Sequence, residues 1–421
     1  MKNNKPKIFI IGAGVSGLIS AKILEEAGHS PTILEATDRC GGRVKTDVVS
    51  GYQLDVGFQV LLSNYAYAKK YLDFDKLKLQ ELKAGSILFK NKRPRTFGDP
   101  LRDISLLSPT LFSGIGTLID KIKIAKLSFQ LKKKSVQDIF TTKEQTTLSY
   151  LRDFGFSKQI ISDFFLPFFT GIFLETELKT TSRMFEYVFK MFAEGMAYIP
   201  ENGIEAIPLQ LASNLKTTSI KFNTSVKSVN DRHIILENGE QLEYDYVIIA
   251  TEPGKLVHNL KNQEFDWNSS QTLYFTAKQR TIQQPIIGLV TSKDSLVNNI
   301  FYHTSVKMNS RKKEELLSVT VVKPHELSEN ELVEQIKEEL EFHCNIEKLT
   351  FLKLYNIPKS LPALYNLQND ISPTETKLND RIYLAGDTLL NASLNAAMVS
   401  GEKAALGLIE GLQKKKSLRE D

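Results

Sequence analysis

Three glycines carry the first chemical signal in this chain. Gly12, Gly14 and Gly17 punctuate the run Gly12-Ala13-Gly14-Val15-Ser16-Gly17, directly after the apolar stretch Ile8-Phe9-Ile10-Ile11. A second apolar run then leads to an acid, Glu35, followed by Ala36. Strand, glycine loop, helix, strand and acid, in that order, are what gripping the pyrophosphate of a dinucleotide requires. Gly12 permits the tight turn out of the strand, and Gly14 lets backbone N–H groups come close to phosphate oxygens. Gly17 lets the next helix pack hard against the strand. That helix, begun by Val15 and Ser16, turns its positive end toward the anion. Glu35, at the end of the second strand, can accept hydrogen bonds from a ribose hydroxyl. The plainer reading, a glycine-rich turn without a ligand, leaves the strand, helix and acid at the required distances unexplained.

A second signature follows the acid: Arg39-Cys40-Gly41-Gly42-Arg43. Toward the other end, Ile382-Tyr383-Leu384-Ala385-Gly386-Asp387 is a short apolar strand ending in Gly-Asp. It runs through Ser393-Leu394-Asn395-Ala396-Ala397-Met398 into a helix containing Ser400-Gly401. A nicotinamide-binding domain needs neither addition. Together they resemble the flavoprotein superfamily of monoamine and polyamine oxidases, protoporphyrinogen oxidase and phytoene desaturases. The resemblance implies FAD, held non-covalently. It implies that Glu35 and Ala36 meet the adenosine ribose, that Gly42 and Arg43 wrap the diphosphate, and that Gly386-Asp387 holds the ribityl or phosphate portion. The Asn395–Ala396 turn would aim the last helix at the flavin ring. By the same resemblance Gly57, Phe58 and Gln59 enter the ring region, Val226 lies on the strand against adenine, and Thr251 ends a strand that closes the parallel sheet. A helix N-terminus of about half a positive charge suits the negative charge of a reduced flavin. Asn395 and Ser393 are both placed to cap that helix, and for Asn395 a cap and a flavin contact are compatible. For Gly57 the plainer alternative is a strand with a bulge.

Composition bounds the rest. The 421 residues, 42% hydrophobic and 24% charged, are ordinary globular values with core enough for two to three domains. Cys40 and Cys344 stand far apart in no metal or redox spacing, which points to a reduced, cytoplasmic protein without a metal. The apolar stretch at the start lacks a small-residue cleavage site, and no run is long enough to span a bilayer. A net charge of +5 is mild, and no basic–aromatic interleaving marks a nucleic-acid groove.

The expected fold class is α/β. A discontinuous Rossmann-type FAD-binding domain takes residues 1–75, 200–270 and 374–421. An α+β substrate domain of helices and a mixed sheet takes 76–199 and 271–373, with its helical part at about 104–197. Finer expectations are a helix near Tyr65–Leu72, a hairpin over Ser86–Phe97 turning at Lys90-Asn91-Lys92, a meander with Asn238-Gly239 as a turn, a helix near Glu326–Phe342, and a frayed charged tail from Lys414.

The substrate side is quieter, because a flavin carries the redox chemistry itself. Phe165 and Phe169, in an aromatic-rich run, and Phe189, on the aromatic helix Met184–Phe192, are candidate pocket rings; for any single ring the core is the commoner home. Tyr355 and Tyr365 are further candidates. Amine oxidases of the superfamily pair a lysine with an aromatic cage. Lys323 and Lys353 are present without a flanking pattern that identifies either and no cage is recognisable, which with the phenylalanine-rich helices favours a bulky apolar substrate, while the resemblance implies an acceptor such as oxygen. Two rivals stay open: an amine oxidase releasing hydrogen peroxide, and a non-catalytic lipid carrier of the same fold, as the Rab GDP-dissociation inhibitors are. Finally, lysines stud a helix over residues 116–134. It can lie on an anionic membrane surface, or it can be a core-packed helix with a solvated lysine face, the commoner arrangement.

Overall fold

The computed structural model describes residues 6–90, 92–260, 266–309 and 313–420. Asn91, the middle of the expected hairpin turn, lies outside them.

Ile8–Ile11 and Tyr246–Ile249 are runs of branched and aromatic residues, nearly all buried, as strands covered on both faces must be. They form the centre of a five-stranded parallel sheet. Its order is Ser219–Lys221, Thr32–Leu34, Ile8–Ile11, Tyr246–Ile249 and Ile382–Leu384. Ile382–Leu384 therefore forms an edge of this sheet, and the strand before Thr251 lies one place inside it. Val15–Glu26 and Leu394–Glu420 pack together on one face. The contact is tight, since a Cβ at Gly401 would sit 2.3 Å from the Ser16 carbonyl oxygen. The Ser20 hydroxyl donates to the Gly401 carbonyl at 2.8 Å. The last helix continues to Glu420, so the charged tail is helical where a frayed end was expected.

The second sheet is mixed and seven-stranded. Its order is Thr350–Ala363, Asp266–Ala277, Glu315–Val321, Val297–Tyr302, Ile287–Val290, Gly85–Lys90 and Arg93–Gly98. The helix Glu329–Cys344 covers one face through Leu332, Ile336 and Leu340. An expected boundary at 270/271 falls inside the single strand Asp266–Ala277, whose ladder with Thr350–Ala363 begins at its first residue. Val226–Val229, His233–Leu236 and Gln241–Glu243 form the meander.

Between these sheets in sequence, helices run from Leu107–Phe112 to Ser182–Glu194. Phe165, Phe169 and Phe185 are 0%, 1% and 0% exposed and share one ring cluster, with Phe169 and Phe185 centred 4.8 Å apart. The helix Leu118–Lys133 is capped reciprocally by Thr117 and Asp120. Asp120 is 1% exposed and also accepts from the Ser157 N–H at 2.9 Å and hydroxyl at 2.7 Å. That buried carboxylate fixes the rotation of the helix. Leu127 and Leu131 turn inward, whereas Leu118, Ile119, Ile122 and Phe129 are each 60–63% exposed. The helix is core-packed through Leu127, Leu131 and Ile124 and has solvated lysines, but its outer face also carries these four apolar residues.

Candidate functional site

The site forms where the parallel strands end. Gly12 follows Ile8–Ile11, Glu35 follows Thr32–Leu34, Thr251 follows Tyr246–Ile249, and Gly386 follows Ile382–Leu384. In open α/β sheets this carboxyl edge is where ligands bind.

Gly12 has φ +99°, and a Cβ there would press on the Ala250 carbonyl oxygen at 3.1 Å. At Gly17 a Cβ would lie 2.0 Å from the Gly12 carbonyl oxygen, so only glycine lets helix and loop approach this closely. Gly14, by contrast, faces open space, with no atom within 4 Å of a Cβ built on it. It is also the N-cap of Val15–Glu26, which has no side-chain cap and no acid in its first turn. Val15 and Ser16, 5% and 6% exposed, begin that turn. An open glycine at an uncapped helix N-terminus is a cradle for an anion.

Glu35, 7% exposed, braces this loop. The Ala13 N–H donates to Glu35 Oε2 at 2.7 Å, and Thr37 donates to Oε1 through its N–H at 2.9 Å and its hydroxyl at 2.8 Å. Three bonds leave lone-pair capacity for a ligand hydroxyl, since a carboxylate offers about four sites. Ala36 is exposed beside it. Gly41 and Gly42 fold back onto the loop: the Gly41 N–H donates to the Ala13 carbonyl at 2.9 Å, and a Cβ at Gly42 would lie 3.4 Å from the Gly14 Cα.

Arg43 and Asp387, 344 positions apart, form an ion pair. The Arg43 guanidinium lies 5.3 Å from the centre of the Trp267 ring, and Lys359 Nζ lies 5.3 Å from the same ring. Lys359 in turn bonds both Glu252 oxygens, at 2.5 and 2.6 Å. Trp267 is the chain's single tryptophan and went unnoticed in the sequence. No local motif surrounds it, and strand register alone brings it here.

Gly386 has φ +148° and its N–H donates to Ser400 at 3.0 Å. Ser393 caps the last helix, accepting from the Ala396 N–H at 3.0 Å. Asn395 does not share that role: its Oδ1 accepts from the Tyr67 N–H at 2.9 Å, tying in the helix Ala66–Tyr71. Ala396 is fully buried.

Gly57 has φ +92°, and Ile357 Cδ1 lies 3.2 Å from the position of a Cβ there. Gln59 Nε2 donates to the carbonyls of Arg43 and Val56, both at 3.1 Å, and so clips the arginine loop to this segment. Phe58 is half-buried, its ring 5.2 Å from Phe301 and 6.2 Å from His303. Burial pushes the His303 imidazole down to about 4, so it is neutral at physiological pH, bonded to Ser318 at 3.0 Å. Beneath them Asp55 accepts from the Thr46 hydroxyl at 2.6 Å and the Ile204 N–H at 3.0 Å. Its burial pushes the carboxyl up to about 6. Tyr355 donates to Asp47 Oδ2 at 2.9 Å, and its phenol is raised by burial and by that carboxylate. Val226 is half-buried on the first meander strand, next to a cavity of about 250 Å³ lined by Lys221, Asn223, Ser225 and Glu237. The Glu35 N–H donates to the Lys221 carbonyl at 2.9 Å, which joins this cavity to the ribose end of the cradle.

Three expected pocket residues lie elsewhere. Phe165 and Phe169 are core, because rings at 0% and 1% exposure have no free face, and Tyr365 is 83% exposed at the surface. Phe189 stays half-buried against Phe185, 5.7 Å away. Among the described residues no group of three or more His, Cys, Asp or Glu could hold a metal.

The cradle fits FAD: an open glycine loop at a bare helix N-terminus, an acid braced beside it, and an arginine brought to the far Gly-Asp. Comparison with known proteins agrees. The chain is 28% identical to an L-amino-acid oxidase of Daboia russelii over 277 residues, 59% of this chain and 53% of that one. It is 24% identical to one from Echis ocellatus over 354 residues, 73% and 67% of the two chains. The first of these matches spans about half the length of the relative. In fold it is similar to a putrescine oxidase, with TM-score 0.73, 15% identity, and 97% and 99% of the two chains covered. A protein from Exiguobacterium sp. 255-15 described as a protoporphyrinogen oxidase gives TM-score 0.71 at 17% identity, over 97% and 99%. The family profile for flavin containing amine oxidoreductases matches residues 15–409. With nearly the whole chain inside that profile and the dinucleotide cradle assembled, this protein belongs to the flavin-containing amine oxidoreductases, with FAD as its cofactor.

Proposed function

We propose that the chain is an FAD-dependent oxidase or desaturase that takes hydride from a bulky, apolar small molecule and passes the electrons to oxygen or a similar acceptor. The observation that carries the reading is the convergence of Gly12–Gly17, Glu35, Gly41–Arg43, Gly386–Asp387 and the Ser393-capped helix at one edge of one sheet. When bound, FAD supplies two-electron acceptance at its ring.

The residues divide the remaining work. Gly14, Val15, Ser16 and Gly17 present the helix end to the diphosphate, and Arg43, with Asp387 against it, neutralises its charge from the other side. Glu35 holds the ribose, and the Val226 strand borders adenine. Ser393 and Ala396 fix the direction of the last helix, whose N-terminus offers positive potential to a developing anion. Half-buried Ile357 lies against Gly57, and half-buried Phe58 packs on Phe301 within the Gly57–Gln59 segment. That lining supports an uncharged substrate. Phe189 and Tyr355 keep partly open faces and remain on the substrate side in this reading. So does the division of labour between residues 1–75, 200–270 and 374–421, which hold cofactor, and the rest, which shapes the pocket. The two buried free thiols, Cys40 and Cys344, support a reducing, cytoplasmic setting.

A second reading, an amine oxidase, has the L-amino-acid oxidase relatives behind it. The visible spectrum of the purified protein, before and after anaerobic dithionite, comes first. Flavin bands that bleach, with FAD released on heating, support the oxidoreductase; a colourless protein that takes up no FAD overturns it in favour of a carrier. Turnover on amines under air then separates the substrates, because vigorous peroxide release from a simple amine would remove the apolar one.

A further inference from the structure

Among the described residues, the large hydrophobic side chains that stand exposed are not scattered. Fifteen qualify, and nine of them fall within residues 101–129: Leu101, Ile104, Leu107, Leu111, Phe112, Leu118, Ile119, Ile122 and Phe129. Single exposed apolar residues are ordinary, but a contiguous set marks an interaction surface. Leu101, Ile104 and Phe112 are 76%, 76% and 83% exposed. The two helices involved, Leu107–Phe112 and Leu118–Lys133, are fastened where they meet, Lys121 Nζ donating to the Leu111 carbonyl at 2.7 Å.

On Leu118–Lys133 most of the outward set lies on one stripe, with Ile119 about 60° farther round the helix. At about 100° per residue, Leu118, Ile122 and Phe129 fall within about 40° of one another, with Lys126 and Lys133 beside them and Lys132 on the other flank. The stripe is not a misplaced core face, since the buried Asp120 and the inward Leu127 and Leu131 hold the helix in this rotation. Its charge has one sign. Lys126, Lys132 and Lys133 are exposed, Lys133 Nζ lies 4.2 Å from the centre of the Phe129 ring, and the only acid in the helix is the buried Asp120. An apolar ridge threaded with lysines, on a helix without an exposed carboxylate and beside an Asp103 already paired with Lys83, matches the headgroup layer of an anionic bilayer: the rings and branched chains enter the acyl boundary and the ammonium groups meet phosphates. No helix among the described residues is long and apolar enough to cross a membrane, so the contact is with the surface only.

We propose that residues 101–133 form a docking face that seats the protein on an anionic membrane. The inference does not rest on the substrate proposed above, and its test does not read turnover.

The flavin-loaded full chain would be co-sedimented with vesicles of phosphatidylcholine alone and with vesicles also containing phosphatidylglycerol, at low and high salt. Binding to the anionic vesicles, weakened by salt, is expected. The double variant Ile122→Ser/Phe129→Ser should lose about tenfold or more in affinity, since each side chain contributes through its buried apolar area. Lys126→Glu/Lys132→Glu should lose a similar factor. Both pairs are exposed, so flavin content and melting temperature should stay as in the parent, which shows that the fold survives. Three results overturn the proposal: no more pelleting with anionic vesicles than without vesicles; equal binding to neutral vesicles that the lysine variant leaves untouched; or no vesicle binding with a dimer that the Ile122/Phe129 variant converts to monomer, which would make the face a contact between copies.

Discussion

Removing the Glu35 carboxylate should disable the cradle even though most of its bonds go to the protein itself. In Glu35→Ala the Ala13 N–H, whose residue is fully buried, loses its 2.7 Å acceptor. A buried donor left unpaired costs about 1–3 kcal/mol, and bonds to a charged partner lie toward the upper end. Thr37 is half-buried and can turn to water, so its two bonds add little. About 2 kcal/mol for the loop alone converts to about a 30-fold weaker FAD dissociation constant if the loop must be re-ordered on binding. Loss of an acceptor for the ribose adds to that. Glu35→Gln keeps the shape and one acceptor oxygen, so it can serve either Ala13 or Thr37 but not both, and should lose about tenfold. Flavin fluorescence quenching on titration of the apoprotein measures all three constants, and urea unfolding reads the loop's own contribution. Unchanged FAD affinity and an unchanged urea midpoint in Glu35→Ala would refute the reasoning, because the brace would then carry neither loop nor ribose.

Three further outcomes follow from the same geometry. Phe169→Ala should destabilise by about 3–5 kcal/mol, as for a core ring, with a lowered melting temperature and no selective rise in KM on whichever substrate turns over; a KM effect without a stability loss would return Phe169 to the pocket. Asp55 has a carboxyl raised from 3.8 to about 6, so its contribution to stability is fully present below 3.8 and is lost as pH rises through about 6. Asp55→Asn should therefore gain on the parent between pH 4 and pH 7, by at most about 3 kcal/mol, and thermal melts showing no such widening would count against a buried ionising group. Gly401→Ala should weaken FAD retention from outside the phosphate motifs, because its Cβ meets backbone at Ser16 and must push the last helix off the first. Gly411→Ala, whose Cβ meets only the Tyr383 hydroxyl, is the control and should retain flavin on desalting as the parent does.

What was legible in the sequence had local causes. The glycine loop is readable because its three glycines answer demands made within six residues: a turn, an open approach and a close helix. The Gly41-Gly42-Arg43 and Gly386-Asp387 motifs were readable through their resemblance to a flavoprotein superfamily, yet neither predicts that Arg43 and Asp387 pair across 344 residues. Trp267 had no signal beyond being alone, since its place follows from the register of two long strands. Asn395 read as a cap for its own helix, and the competing donor, the Tyr67 N–H, comes from 328 positions away. Aromatic stripes were the weakest guide. Phe169 and Phe189 share one periodic signature, and only packing sends the first inside and leaves the second half open.

The elements that sequence periodicity left undecided were settled by buried polar groups rather than by apolar ones. Leu118–Lys133 has large hydrophobic residues on both sides, so its apolar pattern alone does not choose the rotation. The observed rotation gives Asp120, already paired with Thr117 in its own helix cap, its bonds to Ser157, and an unpaired buried carboxylate would cost more than several exposed methyl groups. The same logic acts at the cradle, where Glu35 ties the glycine loop to Thr37, Gln59 ties the arginine loop to Val56, and Asp387 draws Arg43 toward the last strand. Hydrophobic pattern selects strand or helix and buries the sheet; a few satisfied polar atoms choose among the arrangements that bury equally well. A helix turned by such a bond can be left with apolar residues in the open, and on Leu118–Lys133 that is an exposure a bilayer surface can use.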